Sequence, residues 1–205
     1  LPHPCFIVGQ TGTLTRLTEN IGHFDAKTSR ELAAVAEKYQ VGLKEHNGDY
    51  QDEGILLAHP ALGITAMNVA PEYGTVETRA YLKLIELEEI LFKEGLVSKK
   101  SDLKNCIRRE SVKSRRWEKW MTDDTVSKTT EELLQDEEII TVITDISGHY
   151  TFNNDNVKKE IEALFENLSE AGVNAEEYVI YKLKESLDRY VECFNLKGYT
   201  SRLKK

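Results

Sequence analysis

Cysteine is scarce in this chain. Cys5, Cys106 and Cys193 are the only three in 205 residues, far apart and without a CxxC pair. That excludes the disulfide framework of small secreted domains and fits a reducing compartment, so a cytoplasmic protein is expected. Long apolar runs are missing too. None approaches the ~20 residues that a membrane-spanning helix needs, and the opening residues lack the charged and apolar regions of a signal peptide. No membrane partner is expected. Positive charge is in deficit, with 27 Lys and Arg against 35 Asp and Glu, for a net charge of −8. A duplex-binding face needs a surplus of positive charge, so nucleic-acid binding is disfavoured. What remains is ordinary globular material, 40% hydrophobic and 30% charged. The length suits one domain, or one with an appendage, and can bury a core without disulfide or metal staples.

Two textures share the chain. Residues 1–97 alternate short apolar runs with helical stretches, and residues 98–205 read almost wholly as helix. The runs at 5–8, 41–45 and 64–69 are bounded by Gly and polar turns, as strands buried on both faces are. Between the first two lies a helix with the capping-box pattern Thr28-x-x-Glu31 and a Leu32, Val35, Ala36, Tyr39 stripe. A shorter helix follows over 51–59, stopped by Pro60 and Gly63. Thr75 is placed to cap a long helix that Gly95 ends. The order β-α-β-α-β-α means parallel strands with helical crossovers, an α/β fold. In the second half, one helix is expected over 101–121. Further starts are expected at Thr129-x-x-Glu132, at Asn153 or Asn154, and at Asn174-x-x-Glu177.

Three strands make too small an interior and leave two bare edges. Either a further strand lies in the second half, Ile139–Ile143 being the best candidate, or the chain is part of a longer barrel. The start at Leu1 favours missing βα units upstream.

In parallel α/β folds, ligands bind beyond the carboxyl ends of the strands. After the first strand, Gln10, Thr11 and Thr13 offer an amide and hydroxyls suited to sugar hydroxyls or phosphate. A plain glycine turn competes, and no Lys-Ser/Thr follows at Walker spacing. After the second strand, Lys44-Glu45-His46-Asn47-Gly48-Asp49-Tyr50 is the densest polar cluster in the chain. Alternation puts Lys44 and His46 on one side and Glu45 on the other. A strand-end His suits a divalent metal or proton transfer. Asp49 suits a metal ligand, a base or a hydroxyl acceptor, and Asn-Gly-Asp is also good turn chemistry. After the third strand, Asn68 suits a substrate hydroxyl. Glu72 suits an acid or base, or simply a carboxylate compensating a helix dipole. His3, His23, His59 and His149 stand alone, with no HExxH. The basic run from Arg108 to Arg116 suits a phosphate, but most of it reads as a solvated helix face.

The segments FIVGQTGT, VGLKEHNGDY and ITAMNVAPEYGTVETRAYLKLIELEEIL resemble the GatZ/KbaZ-like family. The family motif Ala/Glu-His-x-x-Asp-Tyr-Gln matches Glu45-His46-Asn47-Gly48-Asp49-Tyr50-Gln51, except that close members carry Ser-Thr where this chain has Asn47-Gly48. The family is described as the non-catalytic subunit of class II D-tagatose-bisphosphate aldolase, and older descriptions call it a putative tagatose 6-phosphate kinase. The resemblance implies a partial TIM-type (β/α) barrel. Residues 1–97 would supply its C-terminal βα units, and 98–205 a helical extension packed on it. It implies a ketose-phosphate ligand, a class II aldolase partner and an oligomer. Relatives in the superfamily include metal-dependent sugar C4-epimerases, so divalent-metal epimerisation is the alternative activity. On that reading His46 binds zinc or manganese, with the other ligands outside this chain. It places Gln10, Lys44, Asn47 and Asp49 in the sugar pocket, with Asp49 or a residue outside this chain moving protons. From their positions after the strands alone, Thr11 and Asn68 are further candidates for sugar contact and Glu72 is the second candidate catalytic carboxylate. The kinase description fits poorly, because no glycine loop with Lys is present to cradle phosphate.

Overall fold

The architecture follows from where helix caps and β-branched runs fall along the chain. It was obtained as a computed structural model that describes residues 3–203. Two compact units form, one of residues 1–72 with 185–205 and the other of residues 73–184. The units are cut elsewhere than the change of texture near residue 97.

In the first unit, β1 (Phe6–Gly9), β4 (Gly42–Glu45) and β5 (Ile64–Met67) make a parallel sheet in the order β1-β4-β5. Two short strands, β2 (Thr15–Arg16) and β3 (Glu19–Asn20), form an antiparallel hairpin within the connection after β1. α1 (Ala26–Lys38) starts at Asp25, whose carboxylate accepts the N–H groups of Lys27 and Thr28, so the start lies three residues before the expected one. Leu32, Ala33 and Ala36 of α1 pack on Ile7, Leu43 and Ile64, one face of the sheet. The other face carries Phe6 and Val8, which are 41% and 60% exposed. Among the described residues β1 and β5 are edge strands, so three parallel strands and no closed barrel are seen. α2 (Glu53–Ala58), capped by Asp52, leads into a 3-10 turn at Pro60–Leu62 and Gly63 in the left-handed region. α3 (Pro71–Lys93) begins at a proline, the residue best suited to a first helical position. It starts four residues before Thr75.

The second unit is helical. α4 (Leu103–Ser114) stops at Arg115, which has a left-handed φ of 53°, and a 3-10 turn at Glu118–Trp120 replaces the expected continuous helix over 101–121. α5 (Asp123–Val126) is a single turn, and α6 (Thr130–Gln135) carries the expected Thr129/Glu132 capping box. α7 (Glu137–Ser147) occupies the proposed strand at Ile139–Ile143. The reason is visible in the residues. Asp136 caps the segment, Glu137 and Glu138 favour a helix N-terminus, and the buried positions 140, 143, 144 and 147 keep a helical period. These signals outweigh the β-branched composition. α8 (Asp155–Glu170) starts at Asn154 and α9 (Ala175–Cys193) after Asn174, both as expected; α9 from residue 185 onward, and α10 (Tyr199–Leu203), belong to the first unit.

The core of this unit gathers Leu84, Leu103, Ile107, Val157, Leu164 and Leu168, and a second cluster surrounds Trp117, whose indole N–H donates to the Val112 carbonyl at 3.0 Å. Buried Glu88 is satisfied by Ser101 and Asn167. The basic run is largely neutralised: Arg108 pairs bidentately with Glu137, Arg109 with Asp102, and Lys113 with Glu110. None of the described helices is long and apolar enough to cross a membrane.

Candidate functional site at the strand ends

The carboxyl ends of β1, β4 and β5 all lie in the first unit, and the polar residues singled out there divide into two groups. One group faces outward. Gln10, His46 and Asn68 are exposed, and Lys44 and Asn47 are half-buried. The Lys44 ammonium lies 4.8 Å from the centre of the Phe6 ring, on the open face of the sheet. Gln10 donates to the Thr13 carbonyl at 3.1 Å.

The other group is turned inward. Thr11 is fully buried, and its hydroxyl donates to Glu45 Oε2 at 2.5 Å. Asp49 is 3% exposed, and its Oδ1 accepts the N–H groups of Ala70 at 2.8 Å and Glu72 at 2.9 Å. It is a cap for α3 supplied from a distant loop. Burial pushes the Asp49 carboxyl above its usual range against the pull of those two N–H groups, and the nearby Glu72 charge adds to the rise. Glu72 is 4% exposed and has four partners. Its Oε2 accepts the Tyr50 N–H at 2.6 Å and the Tyr190 hydroxyl. Its Oε1 accepts from Arg189 at 3.1 Å and from Ser186 at 3.3 Å. Arg189 also donates to the Gln51 carbonyl. Burial, with the Glu72 contact second, pushes the Tyr190 phenol well up.

The loop that carries this cluster is held by neighbours that the sequence pattern does not reveal. Asn20 donates to the carbonyls of Asn47 and Asp49 at 3.1 and 2.9 Å, and Thr13 donates to the His46 carbonyl at 2.7 Å. Asn47 and Tyr50 have left-handed φ values of 61° and 57°. Between them, a Cβ on Gly48 would lie 2.7 Å from Met67 Cε and 2.9 Å from the Asn68 carbonyl, so only glycine fits that approach. Beneath the loop, buried Glu45 collects donors from Thr11, Gln51 and His59. His59 looks isolated in sequence, fourteen residues beyond Glu45, and Arg189 and Tyr190 are farther still. The one usable signal was Glu45 itself. Alternation turns it inward, and a buried carboxylate requires partners.

Two features bear on chemistry. The two carboxylates considered for proton transfer are held by backbone and side-chain donors, whereas the outward groups are an ammonium, amides and an imidazole. For a metal, His46 is well presented, but among the described residues no group of three His, Cys, Asp or Glu is placed to hold an ion. The described residues therefore offer one ligand, His46, and not a complete site.

The fold is of the parallel α/β kind with a large helical part, and it has a structural counterpart. The solved structure of a probable tagatose 6-phosphate kinase from Sinorhizobium meliloti 1021 superimposes with a TM-score of 0.69 at 15% identity. The match covers 92% of this chain and 52% of that one, so the chain spans about half the length of that protein. At this identity the likeness is one of fold. No family model matches the chain, and no curated protein matches it in sequence.

Proposed function

We propose that the chain contributes the sugar-phosphate-binding rim of a (β/α)-barrel protein of carbohydrate metabolism, a non-catalytic, stabilising subunit for a class II D-tagatose-1,6-bisphosphate aldolase. One observation carries the choice of binding over chemistry. Asp49 and Glu72 are occupied by the start of α3 and by Arg189 and Tyr190, which leaves groups that bind facing out. Lys44 meets the phosphate as a point charge. Gln10, Asn47 and Asn68 meet sugar hydroxyls. Thr11, its hydroxyl bound to Glu45, supports the rim from below. The barrel is supported by the two sheet edges that stay unpaired among the described residues and by the exposed Phe6 and Val8 on one face, positions that further parallel strands would bury. The carbohydrate assignment is supported by the motif around His46 and by the name of the structural counterpart.

A second reading, a divalent-metal ketose or ketose-phosphate C4-epimerase, is favoured by one feature, the exposed imidazole of His46 at a strand end. Turnover separates the two. The protein is incubated with tagatose 6-phosphate or fructose 6-phosphate and added zinc or manganese, without an aldolase, and the sugars are read by carbon NMR. No epimer and co-purification with a class II aldolase are expected. Epimer formation would overturn the subunit reading.

A further inference from the structure

Glu45 and His59 are both fully buried, and His59 Nε2 lies 2.8 Å from Glu45 Oε1. His59 Nδ1 lies 2.6 Å from the Ile55 carbonyl oxygen. A carbonyl only accepts, so Nδ1 carries a hydrogen. A single proton therefore lies between Nε2 and Oε1, as imidazolium with carboxylate or imidazole with carboxylic acid. The ring is fixed in place, with its centroid 4.9 Å from that of Phe24 and 5.6 Å from that of Phe194. Glu45 in turn accepts from Thr11 on Oε2 and from Gln51 on Oε1. One carboxylate thus joins the loop after β1, the entry to α2 and the end of α2. The outward residues Gln10, His46 and Asn47 lie on the segments so joined.

We propose that His59 is a positioning residue for the strand-end rim, acting through Glu45. It orients the Glu45 carboxylate so that Thr11 and Gln51 hold residues 10–13 and 46–52 in the geometry that presents Gln10, Lys44, His46 and Asn47. The consequence for ligand affinity rests on the binding role given above, whereas the consequence for rim order does not.

Two substitutions divide the ring's two contacts. His59→Gln keeps a donor at the place of Nε2, toward Glu45. His59→Asn keeps a donor at the place of Nδ1, toward Ile55, and takes from Glu45 the contact of Nε2 while those of Thr11 and Gln51 remain. The readouts are hydrogen exchange of the ligand-free protein, followed by peptides, and calorimetric titration with tagatose 6-phosphate. In His59→Asn, protection of segments 10–13 and 46–52 is expected to fall about tenfold or more, the size of a lost buried hydrogen bond that leaves its partner unpaired, while α7 exchanges as before. His59→Gln is expected to restore protection and affinity together. The isosteric Glu45→Gln, which removes one acceptor oxygen without changing shape, is expected to loosen the same segments if His59→Asn does not fold. Equal exchange in the two His59 variants, change confined to 53–59, or unaltered protection in Glu45→Gln would overturn the proposal. A parent protein that binds no tagatose 6-phosphate would refute the binding role instead, and the exchange pattern would still decide the part of His59.

Discussion

Replacing Asp49 separates its charge from its shape. The carboxylate accepts two backbone N–H groups at the start of α3, and it does so while almost fully buried. Asp49→Ala leaves both donors without an acceptor, and a lost cap together with buried unpaired N–H groups costs about 2–3 kcal/mol. Asp49→Asn keeps an oxygen in the same place. Asn caps helices about as well as Asp, so its cost at pH 7 should stay within about 1 kcal/mol. The sign of the charge effect runs with it. Because burial raises the folded carboxyl above its ordinary 3.8, the folded chain binds more protons than the unfolded chain between those two values. Stability from this site is therefore greatest at low pH and declines as pH rises through the raised value, and Asp49→Asn removes that decline. Urea unfolding at several pH values, with the slope m checked for constancy, measures all of this. An Asn variant as unstable as the Ala variant would show that the negative charge itself is required, and the account of Asp49 as a neutral-tolerant cap would be wrong.

Other outcomes follow from the same geometry. Tyr190→Phe preserves volume but takes one donor from buried Glu72, and should cost about 1.5–3 kcal/mol in urea unfolding; a change below about 0.5 kcal/mol would mean that Arg189, Ser186 and Tyr50 suffice. In the second unit the His149 ring packs so closely on α3 that a Cβ at Gly74 would overlap it, and burial holds its imidazole below the ordinary 6.5. The unfolded chain then binds more protons in the interval below 6.5, so stability falls as pH drops through it. His149→Gln should flatten that slope, and an unchanged slope would exclude His149 as its source.

Much of the architecture was legible because its signals are local. Gly9 and Gly63 bound strands, Thr129 and Glu132 form a capping box, and Asn154 and Asn174 start helices, each within a few residues of the element it controls. Where local signals conflicted, as at Ile139–Ile143, the cap and burial period prevailed over β propensity. The α3 start was misplaced because its cap, Asp49, comes from another loop. The outward part of the candidate site followed from strand alternation, which placed Lys44 and His46 opposite Glu45. The inward part was hidden. Glu72 meets Arg189 and Tyr190 more than a hundred residues away, and Glu45 meets a histidine with no motif around it. Contacts of that separation leave no periodic trace in one sequence.

The central claim is that the strand-end rim binds a ketose phosphate through its outward groups. Calorimetric titration of tagatose 6-phosphate into the parent protein and into His46→Ala and Lys44→Ala tests it most directly. The exposed His46 and half-buried Lys44 can be truncated with little effect on folding. Saturable binding by the parent, lost or weakened about tenfold or more in both variants, is the expected result. Equal affinity in all three proteins, or no binding by the parent, would contradict it.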